Sequence, residues 1–422
     1  MLFKNVKHFS PQQLLFKRSS FVQLTHKDSF QAYRMYPNLY YAFKDLFGIE
    51  INGLKLINSF GFFVALSFGV AGWILSKELI RKEKQGIFSY TEQQITVGGP
   101  VSITDWIITF LLGFVFGYKF IGAFLLPDVL QDPPAYIFSW NGHLAAGIIT
   151  GLVMVGLKYR EFKQQQMPKP EIRTIRIWPH DRLGDIILYA AGFGFLGAKI
   201  FHNLENWNEF SKDPIGSLLS FSGLTFYGGL ICATIAIIFY ARKNSISVIH
   251  LADCMAPTMM LAYGLGRIGC QVSGDGDWGI PNTRPNPFSF LPDWAWSYRY
   301  PHNVIGEGIP IDGCTGAYCM QLPQPVYPTA LYEIVMCLLL FAVIWYFRKK
   351  IHIPGKLAGL YLMLNGAERF LIEKIRVNTR YESLPLQPTQ AQIISTLLLL
   401  SGIVLFIKSK DWFGKESAKA SQ

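Results

Sequence analysis

The chain has 422 residues and a net charge of +11, yet only 16% of its residues are charged and 50% are hydrophobic. This composition excludes an intrinsically disordered chain, and 6 cysteines are too few for a disulfide-rich scaffold. The surplus of positive charge fits either a nucleic-acid-binding protein or a membrane protein with basic cytoplasmic loops, so its distribution along the chain decides between them.

The first 55 residues precede the first long apolar stretch. Their initial part, 1–34, is basic and lacks the apolar core of a secretory signal. Met35 opens the segment 35–50, which leads directly towards the apolar stretch. We therefore expect Met35 to be the native start and 1–34 to be an incorrectly assigned extension.

Nine charge-poor stretches follow, each close to the length of about 20 residues that a helix needs to cross a bilayer. They are, in chain order, 56–76, 106–126, 136–157, 185–201, 224–241, 248–266, 329–347, 357–372 and 391–407. Most of them lack the polar face of a helix on a soluble protein, so buried helices of a large soluble protein are the less favoured alternative. We predict an all-α polytopic membrane protein with about nine transmembrane helices.

Lysine and arginine concentrate in alternate loops. They are frequent after the first, third, fifth, seventh and ninth stretches and scarce between them, for example in 127–135 and 202–223. Basic residues beside membrane helices favour the cytoplasmic side, so we expect the N-terminus outside and the tail 409–422 in the cytoplasm. Because the positive charges lie at loop ends and form no single stripe, we expect no nucleic-acid partner.

The region 56–408 is predicted to form one membrane domain, with 1–55 as an N-terminal segment. The longest piece between apolar stretches, 272–327, is rich in Gly, Pro, Trp and Asn and is expected to be an ordered external loop. Outside the cytoplasm, Cys314 and Cys319 in this loop could form a disulfide, with two free thiols as the alternative.

The second and third stretches, within 104–158, carry the spacings Gly113-x-x-x-Gly117 and Gly147-x-x-x-Gly151. Small residues at this spacing allow two helices to approach closely in a membrane. We predict a helix pair that is a structural addition, with a regulatory or partner-binding role as the alternative.

Ionisable residues inside the apolar stretches are functional candidates, because a charge at bilayer depth is costly unless it is paired or lines a cavity. These residues are Lys119, Asp185, Lys199, Asp253, Arg267, Glu333, Glu368, Arg369 and Glu373.

The first group of interest surrounds Arg267, where an apolar stretch enters the Gly-rich, acidic segment 264–279. A guanidinium offers five donors in a rigid fork that suits a phosphate, and glycine allows close approach of the backbone. The alternative is a purely structural ion pair of Arg267 with Asp253 or Asp275.

The second group consists of Asn365, Arg369 and Glu373, which are four residues apart and therefore share one helix face. The alternative is an Arg369–Glu373 pair that only joins helices. Two arginines at membrane depth favour a lipid phosphate over a hydrophobic solute as the ligand.

Around these motifs the sequence resembles the prolipoprotein diacylglyceryl transferase family. Gly266-Arg-Ile-Gly269 followed by Ser273-Gly-Asp275 resembles the family signature Gly-Arg-Ile-Gly-Asn-x-x-Asn-Gly-Glu. Further similar segments, in the same order as in the family, are 197–199, 222–230, 251–257, 327–333, 359–361 and 368–373. The resemblance covers roughly 52–78 and 182–408 and is specific because the motifs occur together.

This resemblance implies an enzyme of the bacterial inner membrane. It would transfer the diacylglyceryl group of phosphatidylglycerol to the lipobox cysteine of a preprolipoprotein and release glycerol phosphate. Its partners would be phosphatidylglycerol, preprolipoprotein signal peptides and the lipid bilayer. No nucleotide or metal motif occurs in the sequence, so we expect no cofactor. A related membrane transferase with another lipid donor or acceptor, a transporter, and an inactive family member are the alternatives.

The resemblance also implies the site residues. Arg267 and Arg369 would hold the phosphate, with Tyr227, Asp275 and Glu373 as further catalytic candidates. The substrate-binding candidates are Arg267, Gly269, Cys270, Ser273, Gly279, Tyr332 and Asn365.

Several of these positions depart from the family pattern, which has His at Tyr227, Asn at Cys270 and Ser273, and tyrosine at Asn365. Tyrosine titrates near 10 and is a poor general base at neutral pH, so the departure at Tyr227 puts the base in doubt. The thiol proton could go to Asp275, Asp277 or Glu373, or the thiol could ionise beside the arginines without a strong base.

Overall fold

The computed structural model of the protein describes residues 35–99, 101–126, 129, 136, 139–166, 171–219, 225–381 and 386–419. The segment 1–34, expected to be an incorrectly assigned extension, lies outside the described residues.

Helices dominate the described ranges. The main helices are α1 (Leu39–Phe47), α2 (Ser59–Lys84), α3 (Ile103–Val115), α4 (Leu144–Gln165), α5 (Leu183–Glu205), α6 (Phe226–Lys243), α7 (Val248–Ser273), α8 (Thr329–Phe347), α9 (Lys356–Ile372) and α10 (Gln390–Lys419). Shorter helical segments are Asn52–Leu56, Phe116–Ile121, Gly122–Leu125, Pro179–Arg182, Trp207–Phe210, Pro214–Leu219, Asp293–Trp296 and Glu373–Ile375.

Six helical segments within these ranges are long and apolar enough to cross a membrane. They are Ser59–Lys84, Ile103–Leu125, Pro179–Glu205, Val248–Ser273, Thr329–Phe347 and Gln390–Gly414. The prediction of a helical, multi-pass membrane protein is therefore confirmed. The count of nine stays a prediction, because α4, α6 and α9 occupy the other three predicted stretches but are not among these six segments. The outside–inside orientation stays a prediction.

A two-stranded ribbon, which we did not predict, joins the two ends of the helix pair α3 and α4 to the rest of the fold. β1 (Thr91–Val97) pairs antiparallel with β2 (Glu171–Ile177), from Thr91 opposite Ile177 to Val97 opposite Glu171. Both strands are rich in β-branched residues, as half-exposed strands usually are. The chain thus leaves for α3 and returns from α4 at one place.

These two helices pack closely through their glycines, as predicted. A Cβ atom at Gly117 would lie 2.4 Å from the carbonyl oxygen of Ala146, and one at Gly151 would lie 2.8 Å from the ring of Phe110. Each of these contacts is closer than a side chain permits. The spacing of the glycines therefore sets the distance between the two helices.

The connection between these helices corrects the predicted start of the third stretch at 136. Helix α4 begins at Leu144, with the His143 side chain accepting the hydrogen bond of a backbone N–H in the first turn. Lys119 donates to backbone carbonyls of the preceding loop, including Asn141 at 2.7 Å. Its ammonium group therefore holds this loop in place.

α7 is the central helix of the bundle and packs against α2, α8 and α9, while α5 packs against α6 and α9 against α10. Gly269 brings α7 and α2 together, since a Cβ atom there would lie 3.1 Å from the carbonyl oxygen of Phe60. Large apolar side chains on the outer helices are more than half exposed, such as Leu112, Leu188 and Leu339. An apolar exterior of this kind suits contact with lipid.

The segment between α7 and α8 forms an ordered cap, while the predicted location of the loop 272–327 outside the cytoplasm stays a prediction. β3 (Ile309–Pro310) pairs with β4 (Met320–Gln321), and Cys314 and Cys319 form a disulfide, the first of the two alternatives considered for them. Beneath this hairpin, Trp278, Tyr298 and Tyr300 belong to a buried apolar cluster. The cap covers the end of the bundle at which Arg267 lies.

Candidate active site

Three arginines converge on the carboxylate of Glu333, which is fully buried in the first turns of α8. Nη1 of Arg369 donates to Oε1 of Glu333 at 2.9 Å, and Nε of Arg267 donates to Oε2 at 2.9 Å. Nη1 of Arg376 lies 3.4 Å from Oε2, and the hydroxyl of Tyr263 donates to Oε1 at 2.9 Å. Glu333 therefore fixes the relative positions of Arg267 and Arg369, the two arginines that the sequence singled out.

A second carboxylate, Asp277, pairs with both Arg267 and Arg376. Its position is held by the Thr329 hydroxyl, which donates to the Asp277 backbone carbonyl at 2.8 Å. Burial alone would raise the pKa of Asp277, but the guanidinium groups of Arg267 and Arg376 outweigh it and lower that pKa to about 2. Asp277 is consequently an anion at every physiological pH.

Glu373 is the third carboxylate of the cluster. Its Oε2 lies 3.4 Å from Nη2 of Arg369, so the predicted pair on one helix face is formed. Its Oε1 accepts hydrogen bonds from the Thr389 hydroxyl at 2.7 Å and from the Asn378 amide at 2.5 Å. Both hydrogen bonds fall on Oε1, and among the described residues Oε2 accepts none beside its ion-pair contact with Arg369.

The alternative considered for Arg267, an ion pair with Asp253 or Asp275, is wrong. The carboxylates that pair with Arg267 are those of Asp277 and Glu333. Asp253 lies at the other end of α7, where its partner is Lys82. The α7 helix separates Asp253 from Arg267 by nearly four turns, which no side chain spans.

The arginines are more exposed than two of their three carboxylate partners. The side chains of Arg267 and Arg369 are 15% and 17% exposed, whereas those of Glu333 and Glu373 are 0% exposed. Asp277 is the exception, since its side chain is 30% exposed. The guanidinium groups are thus accessible in part, and each is paired with a carboxylate.

Tyr227 lies close enough to this cluster to interact electrostatically with Arg369. It is the second residue of α6, which approaches α5 through Gly228. A Cβ atom at Gly228 would lie 2.3 Å from the Cβ atom of Phe201. Close packing of α6 on α5 therefore determines where Tyr227 sits.

Asp275 and Cys270 lie together at the end of α7. Nη1 of Arg267 is 3.6 Å from Sγ of Cys270, and Oδ1 of Asp275 accepts a hydrogen bond from the Asp277 N–H at 3.3 Å. Burial, helped by the negative charge of Asp277, raises the pKa of Asp275 above its ordinary value. The three potential metal ligands Cys270, Asp275 and Asp277 have atoms within 4.8 Å of one another. Asp277, however, is already engaged by two arginines.

Three of the substrate-binding candidates, Gly269, Ser273 and Gly279, are packed against other parts of the chain. Ser273 is fully buried and donates to the Gly269 carbonyl at 2.8 Å. Gly279 allows close contact with the chain after α9, because a Cβ atom there would lie 2.5 Å from the carbonyl oxygen of Ile375. These residues, like Gly269 between α7 and α2, shape the backbone around the arginines.

The remaining two candidates lie on α8 and α9. The hydroxyl of Tyr332 donates to the Ala295 carbonyl at 2.9 Å and so ties α8 to the cap. Asn365 is partly buried, one turn before Arg369 on α9.

Sequence reasoning missed the roles of Glu333, Arg376 and Tyr263 in this cluster. Glu333 was recognised as an ionisable residue in an apolar stretch and as the end of the similar segment 327–333, but not as a partner of the arginines. The available signal was the need of each buried guanidinium for a carboxylate partner.

The lowered pKa of Asp277 predicts a loss of stability in acid. Because this pKa is about 2 in the folded protein and 3.8 is its ordinary value, ionised Asp277 stabilises the fold above pH 4 by about 2 kcal/mol. That contribution disappears as the pH falls from 4 to 2. Asp277→Asn should therefore be less stable than the unmodified protein at pH 6, and the difference should shrink at pH 2.5. Thermal unfolding in detergent measures it, and a pH-independent difference would contradict the prediction.

The family model described as prolipoprotein diacylglyceryl transferase matches residues 133–408, which is more than half of the chain. Similar proteins are named phosphatidylglycerol–prolipoprotein diacylglyceryl transferase. That of Dehalococcoides mccartyi strain 195 is 28% identical over 230 residues, covering 54% of this chain and 77% of that protein. That of Staphylococcus carnosus strain TM300 is 28% identical over 286 residues, covering 68% and 90%. That of Clostridium novyi strain NT is 29% identical over 231 residues, covering 54% and 80%.

Proposed function

Because the chain belongs to the prolipoprotein diacylglyceryl transferase family, we propose that it transfers the diacylglyceryl group of phosphatidylglycerol to a preprolipoprotein. The acceptor is the thiol of the lipobox cysteine, the leaving group is glycerol phosphate, and the site of action is the bacterial inner membrane. The observation that carries the proposal is the pair Arg267 and Arg369, held side by side by Glu333 at membrane depth.

The reaction is a displacement at an sp³ carbon. The sulfur atom of the acceptor forms a bond to the terminal glycerol carbon of the diacylglyceryl group, and the bond from that carbon to the phosphate oxygen breaks. The phosphate leaves with one more negative charge than it had in the lipid. Stabilising that charge in the transition state is therefore the main task of the protein.

Arg267 and Arg369 are suited to this task. The ion pairs described above engage Nε and Nη1 of Arg267, and Nη1 and Nη2 of Arg369, so each fork retains donors for phosphate oxygens. Since Glu333 fixes both guanidinium groups before the lipid arrives, little reorganisation is needed as charge develops.

The acceptor thiol must lose its proton, and Asp275 is a better acceptor for this proton than its neighbour Asp277. The pKa of Asp277 is lowered by two arginines, so Asp277 is a weak base. Burial raises the pKa of Asp275, which makes this carboxylate more basic than usual. We assign the proton to Asp275 and give Tyr227 the role of orienting the phosphate beside Arg369.

The direct test is incubation of the purified protein with labelled phosphatidylglycerol and a lipobox peptide. We expect a thioether product that carries the lipid label, because the thiol displaces the phosphate. Mass spectrometry of the peptide measures it, and a peptide with serine in place of the lipobox cysteine is the matched control.

Label transfer from phosphatidylethanolamine but not from phosphatidylglycerol would contradict the proposed donor. Transfer to the serine peptide would contradict the proposed acceptor. Asp275→Asn should lower the rate about 10²-fold or more and remove the rise of the rate with pH.

A further inference from the structure

The opposite end of the bundle holds a second cluster of positive charge, around a cavity of about 210 Å³. Among the residues that line it are Arg81, Lys82, His250, Arg348 and His352. His250 and Arg267 are seventeen residues apart on α7, which places the cavity about 25 Å from the candidate active site. We propose that this cavity is a separate site that binds the phosphate group of a phosphate ester.

The charges around the cavity do not cancel. Arg81 and Arg348 both pair with the buried carboxylate of Glu78. Lys82 pairs with Asp253 at 3.3 Å. Three cationic side chains therefore face two carboxylates, and an anion would balance the surplus.

Asp253 also lines the cavity, but its oxygens are occupied. Oδ2 accepts the backbone N–H of Gly355 at 3.0 Å, and Oδ1 accepts that of Ala358 at 3.0 Å. The carboxylate thus caps the first turn of α9 and pairs with Lys82. Its charge is spread over these donors and repels a bound anion only weakly.

Two polar atoms beside the cavity have no hydrogen-bond partner among the described residues. They are Nδ1 of His250 and Nε of Arg348. His250 as a whole is only 5% exposed. An unpaired buried polar atom costs free energy, and proteins rarely leave one without a reason. Oxygen atoms of a bound phosphate would satisfy such donors.

The size of the cavity selects the ligand. Cavities for drug-sized molecules begin at about 300 Å³, so this cavity suits a phosphate with a small alcohol and is too small for acyl chains. The basic loops predict that this end lies at the cytoplasmic side. The phosphate group would then come either from an anionic lipid of that leaflet, with its chains outside the cavity, or from a soluble phosphate ester.

Gln85 offers a variant that changes the charge of the cavity. It lines the cavity, is exposed, and follows the last residue of α2. Its Oε1 accepts a hydrogen bond from Nη1 of Arg81 at 3.1 Å, so a glutamate there would compete with the ligand for this arginine. Gln85→Glu should weaken phosphate binding about tenfold or more, because it places a negative charge beside the ligand. His352, also exposed, provides the second variant, His352→Glu. The matched control is Gln94→Glu on the exposed ribbon, which should change binding less than about twofold.

The experiment measures binding of three probes to the full-length protein in detergent or nanodiscs. These are inorganic phosphate, glycerol 3-phosphate, and phosphatidylglycerol compared with phosphatidylcholine. Saturable binding of the soluble probes, weakened by both cavity variants and not by the control, supports the site with a soluble ligand. Binding of phosphatidylglycerol alone, with the same pattern of variants, supports it with a lipid headgroup. No saturable binding of any probe, or equal binding by the cavity variants and the control, overturns the proposal.

Discussion

Replacing Arg267 or Arg369 with alanine is expected to lower the rate of thioether formation by about 10³-fold or more. Each guanidinium would stabilise charge that develops on the leaving phosphate, and neither can substitute for the other because Glu333 holds them at different oxygens. The rate with labelled phosphatidylglycerol measures the effect. The same variants should fail to support growth of a strain depleted of its own transferase.

Two further variants make this result specific. Arg267→Lys keeps the charge but loses the planar fork, so its rate should lie between those of the alanine variant and the unmodified protein. Arg173→Ala, on the exposed ribbon, removes an arginine whose ion pair is open to solvent and should leave the rate unchanged. Growth that is sustained by either Arg267→Ala or Arg369→Ala would refute the role of these arginines.

Glu333→Gln is expected to destabilise the protein by about 3–5 kcal/mol, the effect of breaking a buried ion pair by removing one partner. Three guanidinium groups would lose a shared carboxylate in a site that water enters poorly. A lower midpoint of thermal unfolding in detergent, together with a lower yield of folded protein in membranes, is the expected observation.

The control for Glu333 is Glu171→Gln, because Glu171 is an exposed residue on β2 whose charge contributes little to stability. Glu333→Asp keeps the charge on a shorter side chain and should be intermediate. If Glu333→Gln unfolds at the same temperature as the control, the carboxylate does not hold the arginines together, and the arrangement proposed for catalysis fails with it.

The sequence predicted helices best where their ends carry local signals. The stretch 329–347 agrees with α8, which Pro328 precedes and basic residues follow. The predicted start of α4 was eight residues too early. Hydropathy cannot distinguish a helix from an apolar loop whose backbone carbonyls accept hydrogen bonds from a lysine. The ribbon was missed because its two strands lie far apart along the chain, and no local signal in the sequence shows that they pair.

The candidate site was predicted in part. Intramembrane arginines need partners and are easily found, so Arg267 and Arg369 were identified. Which carboxylate pairs with Arg267 depends on the turn after α7, where Gly274 and Gly276 both adopt positive φ angles. That turn brings Asp277 rather than Asp275 to Arg267. The spacing of these residues along the sequence does not reveal the conformation of the turn.

The ribbon of β1 and β2 bears on how the chain tolerates changes in length. Since the two strands pair along their whole length, the polypeptide departs for α3 and comes back from α4 at the same face of the molecule. The stretch between the strands can therefore lengthen or shorten without changing the direction of α5 and the helices after it.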